Sequence, residues 1–166
     1  NELWKSYQLY VEKFYDLLKL NNEFREYDFK KNLEIKTHLC EAAEKLAEEP
    51  DVVSAFHQLQ KLHQEFRDTG PVAKELRDEV WNRFKAASTA VNRRHQQHFE
   101  ALKEVEQHNL DQKTVICEII EAIDYNELTN FAAWDNKTQE IIALQNKWKT
   151  IGFAPQKMNI KIFERF

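Results

Sequence analysis

Hydrophobic residues recur every three or four positions along most of this chain, which is the spacing of an amphipathic helix. The first stripe predicts a helix from residue 3 to about 26. Its apolar positions are Leu3, Tyr7, Tyr10, Phe14 and Leu17. Asn21-Asn22 are candidates to end or loosen this helix, and Asp28 is a candidate cap for a new one.

Three further stripes follow the first. One lies on Ile35, Leu39, Ala42, Ala43 and Leu46, and the next on Val52, Ala55, Phe56, Leu59, Leu62 and Phe66. Pro50-Asp51 separates these two stripes and is expected to cap the second. The longest stripe predicts a helix from Val72 to Gln107, about 54 Å long at about 1.5 Å per residue. This length favours an elongated bundle or a coiled-coil arm.

The segment Thr69-Gly70-Pro71 is the strongest break in the pattern. A glycine just past a helix end, followed by proline, predicts a left-handed cap at Gly70. Asn109 with Gln112 resembles a capping box, so the long helix either turns or only kinks there.

The chain is internally repeated. One set of four residues recurs later in the chain at a constant offset. Its members are Phe66, Gly70, Trp81 and Phe84, which correspond to Trp148, Gly152, Phe163 and Phe166. A second, shorter offset relates Trp4 and Tyr7 to Trp81 and Phe84, and it also relates Cys40-Glu41 to Cys117-Glu118. The two offsets differ by five positions, so the second copy has five extra residues, within Asp124 to Thr138. This pattern predicts three-helix repeats in residues 1–70 and 71–152, with the start of a third in 153–166.

Composition supports a helical protein. Only two glycines and three prolines occur in 166 residues, and 42% of the residues are hydrophobic. We therefore expect an all-α fold of about two tandem repeats, without β-sheet. No apolar run approaches the roughly 18 residues of a membrane helix and no signal-peptide pattern opens the chain, so we expect a cytoplasmic segment of a longer protein, not bound to membranes. Cys40 and Cys117 are interpreted as small buried thiols in a reducing compartment, since a redox pair or a metal site would need a CxxC or a matching histidine set.

The repeated motif resembles the bacterial family called domain of unknown function 349, which occurs as tandem helical repeats. The resemblance rests on the aromatic residue before T-x-G, the glycine and the later aromatic pair, and it covers nearly the whole chain. A proline of the family pattern is present as Pro155 but is Ala73 in the first copy. The resemblance implies the fold and brings no established activity, substrate or catalytic residue.

Charge is segregated more than the net charge of −4 suggests. The segment Trp81 to Phe99 contains four basic residues and no acid, and Lys147 to Phe166 contains five basic residues and one acid, whereas Glu41 to Asp51 contains five acids and one lysine. The basic segments could contact phosphates, or could pair with acidic segments of neighbouring helices. The candidate contacts with a partner or with phosphate are Arg83, Lys85, Arg93, Arg94, Lys157 and Arg165.

No catalytic, cofactor-binding or metal-binding signature is present. His95 and His98 are three residues apart but have no further ligands at helical spacing, and no phosphate loop or nucleophile motif occurs. Trp81 and Phe84 are either packing anchors or an exposed pair that receives a partner. We therefore expect a non-enzymatic scaffold without cofactor or small-molecule substrate, which holds a protein partner or copies of itself. Binding of nucleic acid or a ribonucleoprotein through the long helix is the alternative.

Overall fold

A computed structural model describes all residues 1–166 and contains five α-helices and no strand. The helices are α1 (Glu2–Leu46), α2 (Val52–Asp68), α3 (Lys74–Glu121), α4 (Phe131–Thr150) and α5 (Gln156–Arg165). Helix accounts for 86% of the residues, which confirms the predicted all-α fold. No helix is both long enough and apolar enough to cross a membrane.

The two long helices contain no internal break. α1 continues through Asn21-Asn22 and Asp28, and α3 continues through Asn109. The predicted helix ends near residues 26 and 107 and the capping box at Asn109 are therefore wrong. An asparagine inside a helix costs only about 0.7 kcal/mol or less relative to alanine, and neither position contains a glycine or proline.

The chain divides into two compact units, residues 1–96 and residues 97–166. The core of the first unit is formed by the second half of α1, by α2 and by the first half of α3. Its buried residues are Leu39, Cys40, Ala43, Leu46, Ala55, Leu59, Val80, Phe84, Ala87 and Val91. The core of the second unit is formed by the second half of α3, by α4 and by α5. Its buried residues are Ile116, Cys117, Trp148, Ala154 and Ile162.

Ion pairs and thiol contacts recur at equivalent positions of the two units. Arg83 donates to both carboxylate oxygens of Glu44 at 2.7 and 2.9 Å, and Arg165 does the same to Glu121 at 2.8 and 2.7 Å. The buried thiols also make the same contact, from α1 to α3 in the first unit and from α3 to α5 in the second. Cys40 Sγ lies 3.6 Å from the carbonyl oxygen of Val80, and Cys117 Sγ lies 3.9 Å from that of Ile162. The sequence repeat is thus also a repeat of side-chain contacts.

Side chains cap the N-termini of α2 and α4. Asp51 Oδ1 accepts a hydrogen bond from the Ser54 amide at 3.0 Å, in agreement with the predicted cap. Asn130 Oδ1 accepts from the Ala133 amide at 2.8 Å in the second unit. The connection between α3 and α4 includes a 3₁₀ turn at Tyr125–Glu127, within the region where the second copy has extra residues.

The two glycines do not adopt a left-handed conformation, so the predicted left-handed cap at Gly70 is wrong. Their role is close approach. A Cβ on Gly70 would lie 2.7 Å from Asn32 Nδ2, and one on Gly152 would lie 2.9 Å from Asn109 Nδ2. The side-chain amide of Asn32 donates a hydrogen bond to the carbonyl oxygen of Pro71 at 2.8 Å, and that of Asn109 donates to the carbonyl oxygen of Phe153 at 2.9 Å. Each acceptor residue directly follows the glycine. The glycine therefore makes room for an asparagine that ties a long helix to the turn.

We expect Gly70→Ala to lower the free energy of unfolding of the first unit by about 0.5–1.5 kcal/mol, the typical contribution of one hydrogen bond. The added methyl group displaces the Asn32 amide, which then loses its bond to Pro71. Urea unfolding of Gly70→Ala, Asn32→Ala and the double variant measures this loss. The double variant should be no less stable than Asn32→Ala alone, because the group that the methyl displaces is gone. Fully additive losses would contradict this explanation.

Candidate interaction surface

The first half of α1 carries a row of exposed apolar side chains at helical spacing. We call this face the α1 stripe and define it as Leu3, Tyr7, Tyr10, Phe14 and Leu17. These side chains are exposed to 85%, 59%, 71%, 61% and 58%, respectively. Trp4 extends it, since its ring stacks on that of Tyr7 with centroids 5.6 Å apart. Large contiguous apolar patches on a soluble protein mark interaction sites more often than chance exposure does.

The repeat gives most positions of the α1 stripe an apolar counterpart one repeat later, in α3. Leu3, Tyr7, Tyr10 and Phe14 correspond to Val80, Phe84, Ala87 and Val91. Those four residues of α3 are 8%, 0%, 6% and 2% exposed, because they pack on α2 and the second half of α1. The same face of the repeat is thus a core in α3 and an open surface in α1.

The aromatic residues of the motif divide into buried and exposed members. Phe84 stacks on Phe66 at 4.4 Å between ring centroids, and Phe166 stacks on Trp148 at 4.1 Å. The remaining two lie towards solvent: Trp81 is 45% exposed and Phe163 is 68% exposed. Each exposed ring belongs to the same repeat position.

A lysine that the sequence analysis did not single out completes each aromatic stack. Lys36 Nζ lies 4.7 Å from the ring centroid of Phe66, and Lys113 Nζ lies 5.1 Å from that of Trp148. Burial, and secondarily the charge of Arg77, lowers the pKa of Lys36. The signal in the sequence was the matched pair Lys36-Thr37 and Lys113-Thr114, which occupy the same positions in successive repeats.

Cavities lie beside these lysines at equivalent places in the two units. The cavity of the first unit measures about 380 Å³ and is lined by Lys36, Phe66 and Trp81 among others. That of the second unit measures about 450 Å³, with Lys113 and Trp148 in its lining. The exposed aromatic residue of the motif forms part of the wall in both, so these cavities are a product of the repeat.

Three of the six basic candidates are engaged by protein groups. Arg83 and Arg165 form the ion pairs with Glu44 and Glu121 described above, and these hydrogen bonds lower the pKa of both carboxyl groups. Arg94 Nη1 donates to the carbonyl oxygen of Ala47 at 2.6 Å and so satisfies the C-terminal end of α1. The other three candidates, Lys85, Arg93 and Lys157, are exposed. The six basic candidates therefore do not form a single surface of unpaired charges.

The thiols are poorly suited to chemistry. Cys40 and Cys117 are free and buried, and desolvation raises the pKa of both thiols. No group of three or more His, Cys, Asp or Glu side chains is placed to hold a metal ion.

Comparison with known proteins gives one result. The model of the family described as "Domain of Unknown Function (DUF349)" matches residues 2–75 and again residues 79–157. Searches of curated proteins and of solved structures found no match. The two matched segments are tandem copies, in agreement with the repeated contacts of the two units.

Proposed function

Since this chain belongs to the DUF349 family, for which no function is described, we propose on physical grounds that it is a non-enzymatic interaction module whose α1 stripe holds a protein partner. The proposal rests on the different burial of two helix faces that occupy the same repeat positions, one on α3 and one on α1. Val80, Phe84, Ala87 and Val91 are buried, whereas their counterparts in α1 are open.

The energetics favour a covered stripe. Burying one large apolar side chain contributes about 1.5–3 kcal/mol, and the α1 stripe offers five of them on one helix face. A preformed helix needs no backbone ordering to bind, so little conformational entropy opposes the contact. Helix-in-groove recognition uses this type of spacing, with anchors at intervals of three and four residues.

The alternative, nucleic-acid binding through α3, has less support from the geometry. Affinity for phosphates grows with the number of free cations that reach them. Arg83 and Arg94 are engaged within the first unit, which leaves Lys85 and Arg93 as the exposed candidates on α3.

Photo-crosslinking in the native cells tests the proposal. A photoreactive residue in place of Tyr10, within the stripe, is expected to capture a defined protein. The same residue in place of Tyr27, an aromatic position that is 63% exposed and does not belong to the stripe, is expected to capture little. Equal capture from both positions, or none from Tyr10, would refute the proposal.

A binding assay tests the alternative. We expect no salt-sensitive binding of the purified chain to mixed RNA and DNA at low ionic strength. If binding is found, and if the double variant Lys85→Glu/Arg93→Glu abolishes it, phosphate recognition replaces protein binding as the function of this module. This pair of substitutions leaves the Arg94 contact with Ala47 intact, so a loss of binding would not reflect damage to the fold.

A further inference from the structure

The cavity of the second unit contains a buried lysine that has no anionic partner in the chain. Lys113 lines this cavity and is only 7% exposed, yet its ammonium group donates no hydrogen bond to the protein and forms no ion pair. The group lies 5.1 Å from the centroid of the Trp148 ring, and this contact replaces only part of the hydration that burial removes. Since buried charges in proteins are normally paired, an anion in the cavity would satisfy this lysine.

The polar groups around this ammonium group also favour an anion. Lys149 lines the same cavity, and the lining contains no acidic residue. Asn159 is a further part of the lining. Its Oδ1 accepts a hydrogen bond from the Ala154 amide at 3.3 Å, so its NH2 group is left as a donor. A carboxylate suits this set, because its two oxygen atoms can accept from an ammonium group and from an amide.

Apolar side chains form the outer part of the wall. Phe153, Ile160 and Phe163 line the cavity and are 78%, 68% and 68% exposed. A buried charge below exposed rings suits a ligand that combines an anionic end with a flat apolar body. The cavity volume of about 450 Å³ lies within the usual range of small-molecule sites, about 300–1,000 Å³.

The equivalent cavity of the first unit shows that this opening belongs to the repeat itself. Every residue that lines one of the two cavities has a counterpart in the other repeat. The first cavity is less suited to an anion. Lys36 is half-buried where Lys113 is buried, and Asp78 lies where the second unit has Ile160. The carboxylate of Asp78 repels an anionic ligand, so the second cavity is the better site.

We propose that the second unit binds a small aromatic carboxylate in this cavity, with the carboxylate group paired to Lys113 and the aromatic body packed against Phe153 and Phe163. The pair is a charge-assisted hydrogen bond at a place that is poor in water, where such bonds are strong. A neutral ligand of the same shape lacks this contribution. The site includes no residue of the α1 stripe, so it does not rest on the proposed function.

Titration of the isotope-labelled chain with cinnamate, followed through the indole N–H signals, tests the proposal. The four tryptophans report on different places. Trp148 lines this cavity, Trp81 lines that of the first unit, Trp4 extends the α1 stripe and Trp134 lines neither cavity. We expect the Trp148 signal to shift to saturation, and to shift more than that of Trp81. No response of Trp148, or a larger response of Trp81, would overturn the proposal.

Cinnamamide, which has the shape of cinnamate without its charge, is the matched ligand. It should bind at least tenfold more weakly, because it forms no charge-assisted bond with Lys113. Equal affinity for the two ligands would show that the cavity selects apolar bodies only, and the proposal would fail.

Lys113→Met isolates the contribution of the buried charge, since methionine keeps the length and the apolar character of the lysine stem. Affinity for cinnamate should fall at least tenfold, whereas affinity for cinnamamide should stay the same. Lys161→Met, at an exposed position of α5 outside the lining, is the control and should change neither affinity. Cinnamate binding that survives Lys113→Met, or that falls equally in Lys161→Met, would contradict the proposal.

Phe163→Ala tests the apolar wall at a position where the fold is not at risk, because Phe163 is 68% exposed. This variant should weaken the binding of both ligands by about threefold or more, since each loses contact with the same ring. Unchanged binding of both ligands would exclude Phe163 from the site and would overturn the proposed placement of the aromatic body.

Discussion

Phe84→Ala is expected to lower the free energy of unfolding of the first unit by about 3–5 kcal/mol, the usual cost of truncating a buried phenylalanine. Phe84 is 0% exposed, stacks on Phe66 at 4.4 Å and meets the His63 ring edge-on at 4.9 Å. The substitution therefore leaves a cavity between α2 and α3 that the surrounding rings cannot easily close. A loss of this size is a large part of the total stability of a domain.

Amide hydrogen exchange measures this loss within the first unit, because a chain with two units need not unfold in a single step. We expect faster exchange in the second half of α1 and in α2. Trp81→Ala is the control, since Trp81 lies three residues away and is 45% exposed, and it should cost less than half as much. Equal losses for the two variants would show that Phe84 is not the anchor of this core.

Val91→Glu is expected to destabilise the first unit by at least about 3 kcal/mol, because it places an unpaired carboxylate in a core. Val91 is 2% exposed in that core. Phe14→Glu, at the equivalent repeat position, is expected to change the stability of the isolated chain by no more than about 0.5 kcal/mol, since Phe14 is 61% exposed.

Urea unfolding of the two variants at a concentration low enough to prevent association gives this comparison. The introduced residue is glutamate in both variants and the repeat position is the same, so the difference reports mainly whether the replaced side chain, Val91 or Phe14, is buried. Comparable destabilisation by both variants would mean that the α1 stripe is covered within the single chain, and the stripe would cease to be a candidate interface.

Sequence patterns predicted the parts of this fold that depend on local chemistry. The scarcity of glycine and proline predicted helices, Pro50-Asp51 marked the start of α2, and the constant offsets between motif copies located the repeat. The first two of these patterns reflect the conformational preferences of a few neighbouring residues, and the third comes from a direct comparison of two segments. Tertiary packing did not change the structure that these patterns predicted.

Other features could not be predicted because they depend on distant partners. Asn109 looks like a helix cap in the sequence, but in the structure its amide group, like that of Asn32, reaches a turn that is far away along the chain. The sequence predicted a special conformation for Gly70, whereas the role of Gly70 and of Gly152 is to leave space for these asparagines. Whether Arg83 is free or paired could not be predicted either, because it depends on where Glu44 of α1 lies relative to α3.

The α1 stripe shows the limit of pattern analysis most clearly. Leu3, Tyr7, Tyr10 and Phe14 have the same spacing as Val80, Phe84, Ala87 and Val91, so periodicity predicts an inward face for both sets. Burial depends on whether a second element lies opposite the helix, which spacing does not encode. The structure supplies α2 opposite α3, and no described residue covers the stripe on α1.

Thiol labelling at three positions tests the central claim most directly, that one repeat face is closed in α3 and open for docking in α1. Single cysteines are placed at residues 14, 27 and 91 after Cys40 and Cys117 are replaced by alanine. In the dilute purified chain, we predict fast labelling at 14 and 27 and slow labelling at 91. In lysate of the native cells, labelling at 14 should slow while that at 27 stays fast, because the partner covers the α1 stripe. Equal protection of 14 and 91 in the purified chain, or labelling at 14 that follows 27 in the lysate, would contradict the account.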